Sequence, residues 1–233
     1  MLIRHSYDDH SYIDGKNDTD LTEKGIEIAK KASERIIYKI DEGKVIIRYS
    51  SKRRAKETAE IIYEYFSKSN IDCQCIEDNG LTELFQGNFN FNGMEHMERV
   101  NFLQSCWDDF EYCRKQGDLN HRFGQNKDHN IVLKPGENHS DWSMRIASSV
   151  LNVIDDLCHN VQSINVTHRG AIFEIQKIIE MLNGQIQMNQ VEKYETSCMR
   201  YCQDYLLHLD DLQTAKTLAK KYIYQRGKNE NNH

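Results

Sequence analysis

Hydrophobic positions along the chain follow two periodicities that alternate from the first residues to about residue 224. Short apolar runs predict β-strands at residues 2–3, 44–49, 71–76 and 163–166. Elsewhere apolar residues recur every three or four positions, which predicts helices. The predicted helices cover about residues 20–40, 54–66, 94–116, 140–159, 171–182 and 212–224. Asp20 and Glu23 have the spacing of a capping box and predict the start of the first helix.

The alternation of strands and helices predicts the fold class. A βαβα order favours an α/β fold, here a three-layer αβα sandwich with a mostly parallel central sheet. Residues 198–209 predict an additional edge hairpin, and a helical and loop insertion at about 94–134 is expected over one edge of the sheet. We expect one domain, residues 1–226, followed by a disordered tail at 227–233.

Composition and charge narrow the class of partners. The 233 residues include 39% hydrophobic and 28% charged residues, which is typical of globular proteins, and no apolar run is long enough to span a bilayer. The net charge of −6 argues against nucleic acid or an anionic membrane as a partner. The seven cysteines show neither a C-x-x-C pair nor paired zinc spacing and are expected to be reduced and mostly buried. Without an N-terminal secretory signal, a cytoplasmic location is expected.

Basic and imidazole groups follow three of the predicted strands. Arg4 and His5 follow the first, Arg54 follows the second, and His168 follows the strand at 163–166. Because the carboxyl ends of parallel strands share one edge of a sheet, these side chains are expected to converge. Guanidinium groups and a helix N-terminus both suit phosphate oxygens, so the sequence predicts a site for a phosphate ester.

Six short motifs occur in order along residues 1 to about 200. They are Arg4-His5-Ser6; Asp20-Leu21-Thr22 with Gly25; Ser50 with Arg54-Ala55 and Thr58-Ala59; Leu81-Thr82-Glu83 with Gly87; Gly136-Glu137 with Asp141 and Arg145; and Val166-Thr167-His168-Arg169-Gly170. Together they resemble the motifs of the histidine phosphatase superfamily, the phosphoglycerate-mutase-like proteins. The resemblance places the expected insertion over the active-site edge of the sheet.

The resemblance implies a mechanism and assigns residues to it. His5 would attack phosphorus and form a phosphohistidine. Arg4, Arg54 and His168 would hold the phosphoryl oxygens and stabilise the transition state, and His168 would thereby also be catalytic. Glu83 would protonate the leaving oxygen and then activate water. Neither a metal ion nor another cofactor is expected.

A proton donor needs a carboxyl group that is protonated near neutral pH. The apolar neighbours Leu81, Leu84 and Phe85 are expected to desolvate Glu83 and so raise its pKa. The alternative is that Glu83 is a plain surface carboxylate.

Several neighbouring residues have competing interpretations. Arg53 competes with Arg54 as the phosphate clamp, and the register of the motif favours Arg54. Glu137 and Arg145 are expected to have structural roles, capping or pairing within the helix after Pro135. Trp107 is expected to pack in the core. The histidines outside the motifs are expected at the surface or in loops because they lack metal-ligand spacing: His10, His96, His121, His129 and His139.

The sequence departs from the family pattern near the expected nucleophile. Ser6 stands where the family usually has Gly, and Asp8 and Ser11 stand where it often has Thr and Asn. The Trp-Asn element of true phosphoglycerate mutases is absent. An expected substrate pocket is formed by Tyr7, Ser11, Phe89, Phe91 and Arg169.

The function that the resemblance implies is hydrolysis of a small phosphorylated metabolite by a phosphomonoesterase. Two alternatives are a phosphoglycerate-type phosphomutase and a catalytically inactive phospho-ligand-binding protein of the same fold. The expected partner is a small-molecule phosphate ester, with neither nucleic acid nor membrane involved. The sequence leaves the oligomeric state open, with a homodimer as one alternative, and does not identify the substrate.

Overall fold

Five strands form the central sheet in the order β3-β2-β6-β1-β7. Strands β1 (Leu2–Arg4), β2 (Val45–Tyr49), β3 (Cys73–Glu77) and β6 (Gln162–Thr167) run parallel, and β7 (Asp204–Tyr205) pairs antiparallel with β1. The structure is a computed structural model that describes residues 1–6, 8, 18–41, 43–186, 204–205, 209 and 211–229, with only the backbone at 204–205 and 226–229. The mostly parallel sheet predicted from the strand pattern is confirmed.

The described residues form six α-helices. They are α1 (Glu23–Ile37), α2 (Arg53–Lys68), α3 (His96–Lys115), α4 (His139–Cys158), α5 (Arg169–Leu182) and α6 (Leu212–Asn229). Helices α1 and α2 pack on one face, where they share a buried apolar core with β1, β2 and β6. Helices α4, α5 and α6 pack together on the other face, around a second core. The three-layer αβα sandwich is therefore confirmed.

The two faces of strand β6 differ in character. Ile164 and Val166 belong to the core against α1 and α2, whereas Ser163, Asn165 and Thr167 alternate with them and are also buried. The buried polar groups find partners, since the Asn165 side-chain amide donates to the Met1 carbonyl at 3.2 Å. This polar face matters for the site because Thr167 lies at its carboxyl end.

The expected insertion contains α3, a following loop and one strand of a small two-stranded sheet. In this sheet, strand β4 (Gly87–Phe89) pairs antiparallel with β5 (Val132–Pro135), apart from the main sheet. The small sheet is absent from the sequence prediction because its strands have three and four residues and lack a clear alternation. Trp107 packs edge-on against Phe110 and Phe123, as expected for a core residue.

Other predictions at element boundaries need correction. The N-cap of α1 is Thr22, whose hydroxyl accepts from the Gly25 N–H at 3.1 Å, so the predicted capping box at Asp20 is wrong. Helix α6 reaches Asn229, so the disorder predicted for 227–233 is wrong for 227–229, and 230–233 lie outside the described residues. Of the hairpin expected at 198–209, the description includes only β7 and Leu209. Among the described helices, none combines the length and the apolar character that crossing a bilayer would need.

The capping assignment predicts a difference between two substitutions. Thr22→Ala removes the hydroxyl that satisfies the Gly25 N–H and should lower the free energy of unfolding by about 1 kcal/mol. Asp20→Ala removes an exposed contact to Arg53 and should leave stability nearly unchanged. Urea denaturation of both variants measures the difference, and Thr22→Ser is the control that should retain wild-type stability. A larger loss in Asp20→Ala than in Thr22→Ala would contradict the assignment.

Candidate active site

The carboxyl ends of three adjacent strands bring the expected site residues together. Strand β6 lies between β1 and β2, and His168 directly follows it. The backbone N–H of His5, after β1, donates to the Thr167 carbonyl at 2.8 Å, and that of Ser50, after β2, donates to the Val166 carbonyl at 3.0 Å. The sequence expectation that these segments converge is met.

The His5 ring is held in one tautomer. Its Nδ1 lies 2.7 Å from the Ser6 carbonyl oxygen, which can only accept, so Nδ1 carries the proton. Nε2 therefore presents its lone pair, and Arg54 Nε donates to it at 3.2 Å. Since His5 is only 4% exposed, the backbone rather than bulk water sets this orientation. An unprotonated Nε2 is the form of imidazole that can act as a nucleophile.

The His168 ring is also buried and its tautomer follows from its partners. Arg54 Nη2 lies 3.4 Å from His168 Nδ1 and can only donate, so Nδ1 accepts and Nε2 donates to the Ser50 hydroxyl at 2.7 Å. Burial, with a further contribution from the positive groups around the ring such as Arg54, holds the pKa of His168 well below its usual range. His168 is thus neutral near pH 7. The two imidazole rings lie 5.0 Å apart between centroids.

Arg54 occupies the position between the two histidines, and Arg53 does not. The Arg53 side chain is exposed and pairs with Asp20 at 3.2 Å. In the sequence, only the register of the motif favoured Arg54 over Arg53. The geometry places Arg54 in the cluster. Arg4, half-buried at the end of β1, contributes positive charge that further lowers the pKa of His168. Two guanidinium groups therefore act on this site, which favours an anion.

Glu83 lies on the segment that follows a short 3-10 helix, Asn79–Leu81. Its carboxylate accepts from its neighbour Leu84 N–H at 3.1 Å and from Gly170 N–H at 3.0 Å. Burial raises the pKa of Glu83, and this effect outweighs the two hydrogen bonds and the nearby arginines, which lower it. Leu84 is buried, as expected of a neighbour that desolvates Glu83, whereas Phe85 is 39% exposed.

Gly170 allows Glu83 to approach the N-terminus of α5. A Cβ atom at position 170 would lie 2.5 Å from Glu83 Oε1, closer than real side chains come. A side chain at position 170 would therefore displace the Glu83 carboxylate from this position. Gly170 belongs to one of the six sequence motifs, but its role depends on a contact with Glu83, 87 residues away, that the sequence does not reveal.

Arg145 ties the Glu83 segment to α4. Its Nη1 donates to the carbonyl oxygens of Asn79 and Thr82, both at 2.9 Å. Its Nε and Nη2 donate to the Glu137 carboxylate at 3.0 and 2.7 Å. The expected pairing of Arg145 with Glu137 is present, and it extends farther than expected, because the same guanidinium holds the segment that carries Glu83.

Two departures from the family pattern have clear structural settings. Ser6 is not among the residues with positive φ, and its hydroxyl donates to the Gly25 carbonyl at 2.6 Å, so a side chain fits where Gly is usual. Asp8 is buried, with its Oδ2 3.7 Å from Arg54 Nε and accepting from the Thr19 hydroxyl at 2.8 Å. The sequence analysis gave Asp8 no role, although its place three residues after His5 was a signal.

Three of the five expected substrate-pocket residues belong to the part of the chain that the structure describes. Tyr7 and Ser11 lie outside the described residues. Phe89 and Phe91 stack on each other at 5.3 Å and contact Phe102 in the insertion. Arg169 is exposed, with its guanidinium 5.5 Å from the centre of the Phe173 ring.

Comparison with known families agrees with this geometry. The model of the histidine phosphatase superfamily (branch 1) matches residues 1–205. The chain belongs to this superfamily. The family resemblance drawn from the six motifs is thereby confirmed. A search of curated proteins gives no match.

Solved structures of this superfamily share the fold at low sequence identity. Mycobacterial hydrolase 1 is 17% identical, with 86% of this chain and 84% of that chain covered and a TM-score of 0.57. Mycobacterial glucosyl-3-phosphoglycerate phosphatase in complex with VO3 is 18% identical, with 86% of both chains covered and a TM-score of 0.56. The alpha-ribazole phosphatase from Shigella flexneri is 21% identical, with 84% of this chain and 85% of that chain covered and a TM-score of 0.50.

The close approach at Gly170 leads to a prediction about activity and stability. Gly170→Ala should displace the Glu83 carboxylate and lower kcat at least about tenfold, because a misplacement of about 1 Å in an active site can lower the rate by about 100-fold. Steady-state kinetics on a phosphate monoester and thermal unfolding are the measurements.

The fold should survive this substitution, because Ala is a better helix former than Gly. Ala171→Gly is the matched control at the next position of α5, where Gly should cost stability without moving Glu83. Unchanged kcat in Gly170→Ala would contradict the positioning role of this contact.

Proposed function

We propose that the protein is a phosphomonoesterase that hydrolyses a small phosphorylated metabolite through a phosphohistidine intermediate. The observation that carries the proposal is the tautomer of His5, whose Nδ1 proton is held by the Ser6 carbonyl while Nε2 faces Arg54. A neutral ring with an unprotonated Nε2 beside a guanidinium suits attack on a bound phosphoryl group. Membership of the histidine phosphatase superfamily supports the same reaction class.

In the proposed first step, Arg4, Arg54 and His168 bind the phosphoryl oxygens. His5 Nε2 attacks phosphorus in line, and the bond from phosphorus to the leaving oxygen breaks as the N–P bond forms. The guanidinium groups stabilise the charge on the equatorial oxygens, so this chemistry does not call for a metal ion. The Ser6 carbonyl stabilises the positive charge that the phosphorylated ring acquires.

Glu83 serves both halves of the proposed reaction. Because burial raises its pKa, the carboxyl group can hold a proton and donate it to the leaving oxygen. The resulting carboxylate then takes a proton from water, which attacks phosphorus as the N–P bond breaks. Inorganic phosphate leaves, and His5 and Glu83 return to their starting protonation states.

Neutral His168 completes the anion site. Its pKa is low in part because positive groups surround it, and a bound phosphoryl dianion offsets that charge. The ring therefore gains a proton more readily once substrate is present and can then donate to a phosphoryl oxygen through Nδ1. Ser50 holds the opposite nitrogen in place.

The substrate class is proposed from the site and from the named neighbours. Glucosyl-3-phosphoglycerate phosphatase and alpha-ribazole phosphatase are both phosphatases, and they differ in the substrate that their names give. The shared feature that we carry over is a monoester of a small organic alcohol. The stacked aromatic rings of Phe89 and Phe91, just before the insertion, are proposed to contact the organic part.

The role of His5 predicts loss of turnover with the fold preserved. His5→Ala should reduce phosphate release to the background rate, while circular dichroism and the melting temperature change little. Rapid-quench labelling should detect an acid-labile, base-stable phosphoryl adduct on the wild type only. His129→Ala, at an exposed histidine of the insertion, is the control that should keep full activity and the adduct. Phosphoryl transfer to a second metabolite in place of phosphate release would favour a mutase instead.

The role of Glu83 predicts a dependence on the leaving group. Glu83→Gln should slow hydrolysis of alkyl phosphates by about 10²–10⁴-fold, because their alkoxide leaves poorly without a proton. Aryl phosphates such as p-nitrophenyl phosphate should lose much less, since the phenolate needs little help.

Burst kinetics must accompany this comparison. If breakdown of the phosphohistidine limits the rate, both substrates slow alike because Glu83 also activates water. The test therefore compares the burst phases, which report phosphorylation of His5. Equal small losses in the burst phases of the two substrates would assign Glu83 a structural role.

A further inference from the structure

A cluster of three metal-binding side chains lies in the insertion, away from the residues of the proposed reaction. Asp109 and Cys113 belong to α3, and His121 belongs to the loop that follows it. One ligand atom from each residue, a carboxylate oxygen, the sulfur and an imidazole nitrogen, lies within 4.8 Å of the other two. These three atom types together suit a borderline-soft divalent metal such as zinc.

The local fold explains how the three residues meet. Asp109 and Cys113 are four residues apart in α3, so their side chains lie one turn apart on the same face. The helix ends in a Schellman motif, in which Gly117 N–H donates to the Arg114 carbonyl and Asp118 N–H donates to the Cys113 carbonyl, both at 3.0 Å. Gly117 has a φ of 89° and reverses the chain, which returns His121 to the last turns of α3.

The surroundings of the cluster combine burial with one accessible side. The His121 side chain is only 5% exposed, and its Nε2 lies 3.1 Å from Asp109 Oδ2. His121 lies in a loop, as expected, but its side chain is buried there. The Asp109 side chain is 26% exposed and Cys113 is half-buried, so water can reach the cluster from that side.

The electrostatics of the cluster favour a cation. The carboxylates of Asp109 and Asp118 lie near the Cys113 sulfur and create a negative potential there, which a divalent cation reverses. The alternative is a simple ion pair between His121 and Asp109. That pair alone would not account for the Cys113 thiol, which lies beside both groups one turn farther along α3.

We propose that Asp109, Cys113 and His121 bind one zinc-type divalent ion, with water as the fourth ligand. In a tetrahedral site, ligand atoms are about 3.3–3.8 Å apart for bonds of about 2.0–2.3 Å, so the cluster needs only a small side-chain adjustment. On binding, the Cys113 thiol loses its proton to solvent and a sulfur–metal bond forms. The ion ties the end of α3 to the loop that carries Phe123, and it has a structural role.

This assignment is compatible with a reaction that uses no metal. The ligands belong to the insertion, and none of them is assigned a role at the His5 site. The pattern Asp-x3-Cys-x7-His contains no paired cysteines, which explains why cysteine spacing gave no sign of it. The site becomes visible only when the turn at Gly117 brings the loop back.

Titration of the metal-free full-length protein with Co²⁺ tests the proposal. A thiolate-to-cobalt charge-transfer band should appear and saturate at one equivalent, and excess Zn²⁺ should remove it. Cys113→Ser should lose the band, whereas Cys158→Ser, a half-buried cysteine of α4, should retain it. No band in the wild type, or a full band in Cys113→Ser, would overturn the proposal.

Two further variants keep the test independent of folding and of catalysis. Asp109→Asn keeps the shape of the side chain but should weaken Co²⁺ binding about 100-fold or more, since even residues around metal ligands contribute about 10–100-fold. The melting temperature should rise with Zn²⁺ in the wild type and in Cys158→Ser but not in Asp109→Asn or His121→Asn. Circular dichroism confirms that each variant is folded, and kcat with p-nitrophenyl phosphate should stay at the wild-type value in Cys113→Ser. A rise in melting temperature with Zn²⁺ that persists in Asp109→Asn and His121→Asn would contradict the assigned ligands.

Discussion

The carboxyl end of strand β6 is the constraint on which the candidate site depends. The Thr167 carbonyl accepts from His5 N–H, the Val166 carbonyl accepts from Ser50 N–H, and the Thr167 hydroxyl donates to the Leu81 carbonyl. Three segments far apart in sequence are thereby attached to two consecutive residues of one buried strand. A buried strand end with its hydrogen bonds satisfied is stiff, so the side chains that follow are held at fixed distances.

Burial acts in opposite directions on the two titrating groups of the site. It lowers the pKa of His168 and raises the pKa of Glu83, so both shifts favour the uncharged form of the group, in a site that also contains Arg54. Positive charge is carried by the guanidinium groups, which stay protonated. An anion gains from this charge without first having to displace a proton from them, and the raised pKa of Glu83 suits the proton donation proposed for it.

The sequence was sufficient for the fold class and for the residues at the strand ends. Alternating apolar patterns are local, and parallel strands bring their carboxyl ends together whatever the intervening sequence, so His5, Arg54 and His168 could be foreseen. What could not be foreseen depends on contacts across long separations. Gly170 beside Glu83 has no local signature.

The cap of α1 shows a different kind of failure. Both Asp20 and Thr22 are favourable N-cap residues, and their sequence positions do not decide between them. The structure decides because Asp20 turns toward Arg53, leaving Thr22 to cap the helix. The prediction misses the short strands β4 and β5 for a related reason, since three or four residues carry too little periodicity to be recognised.

The insertion is connected to the candidate acid through a continuous set of backbone hydrogen bonds. Gly136 N–H donates to the Phe123 carbonyl at 2.8 Å, and Glu137 N–H donates to the Phe85 carbonyl at 2.7 Å, two residues beyond Glu83. Glu137 also holds Arg145, whose guanidinium binds the carbonyls before Glu83.

These hydrogen bonds hold the segment of Glu83 from both sides, since Phe85 follows Glu83 and Asn79 and Thr82 precede it. Closely packed interiors leave the groups so held little free space. In the proposed reaction, Arg145 and the end of β6 would therefore keep the acid in register with the nucleophile, and the insertion could shape the rim of the pocket without moving either group.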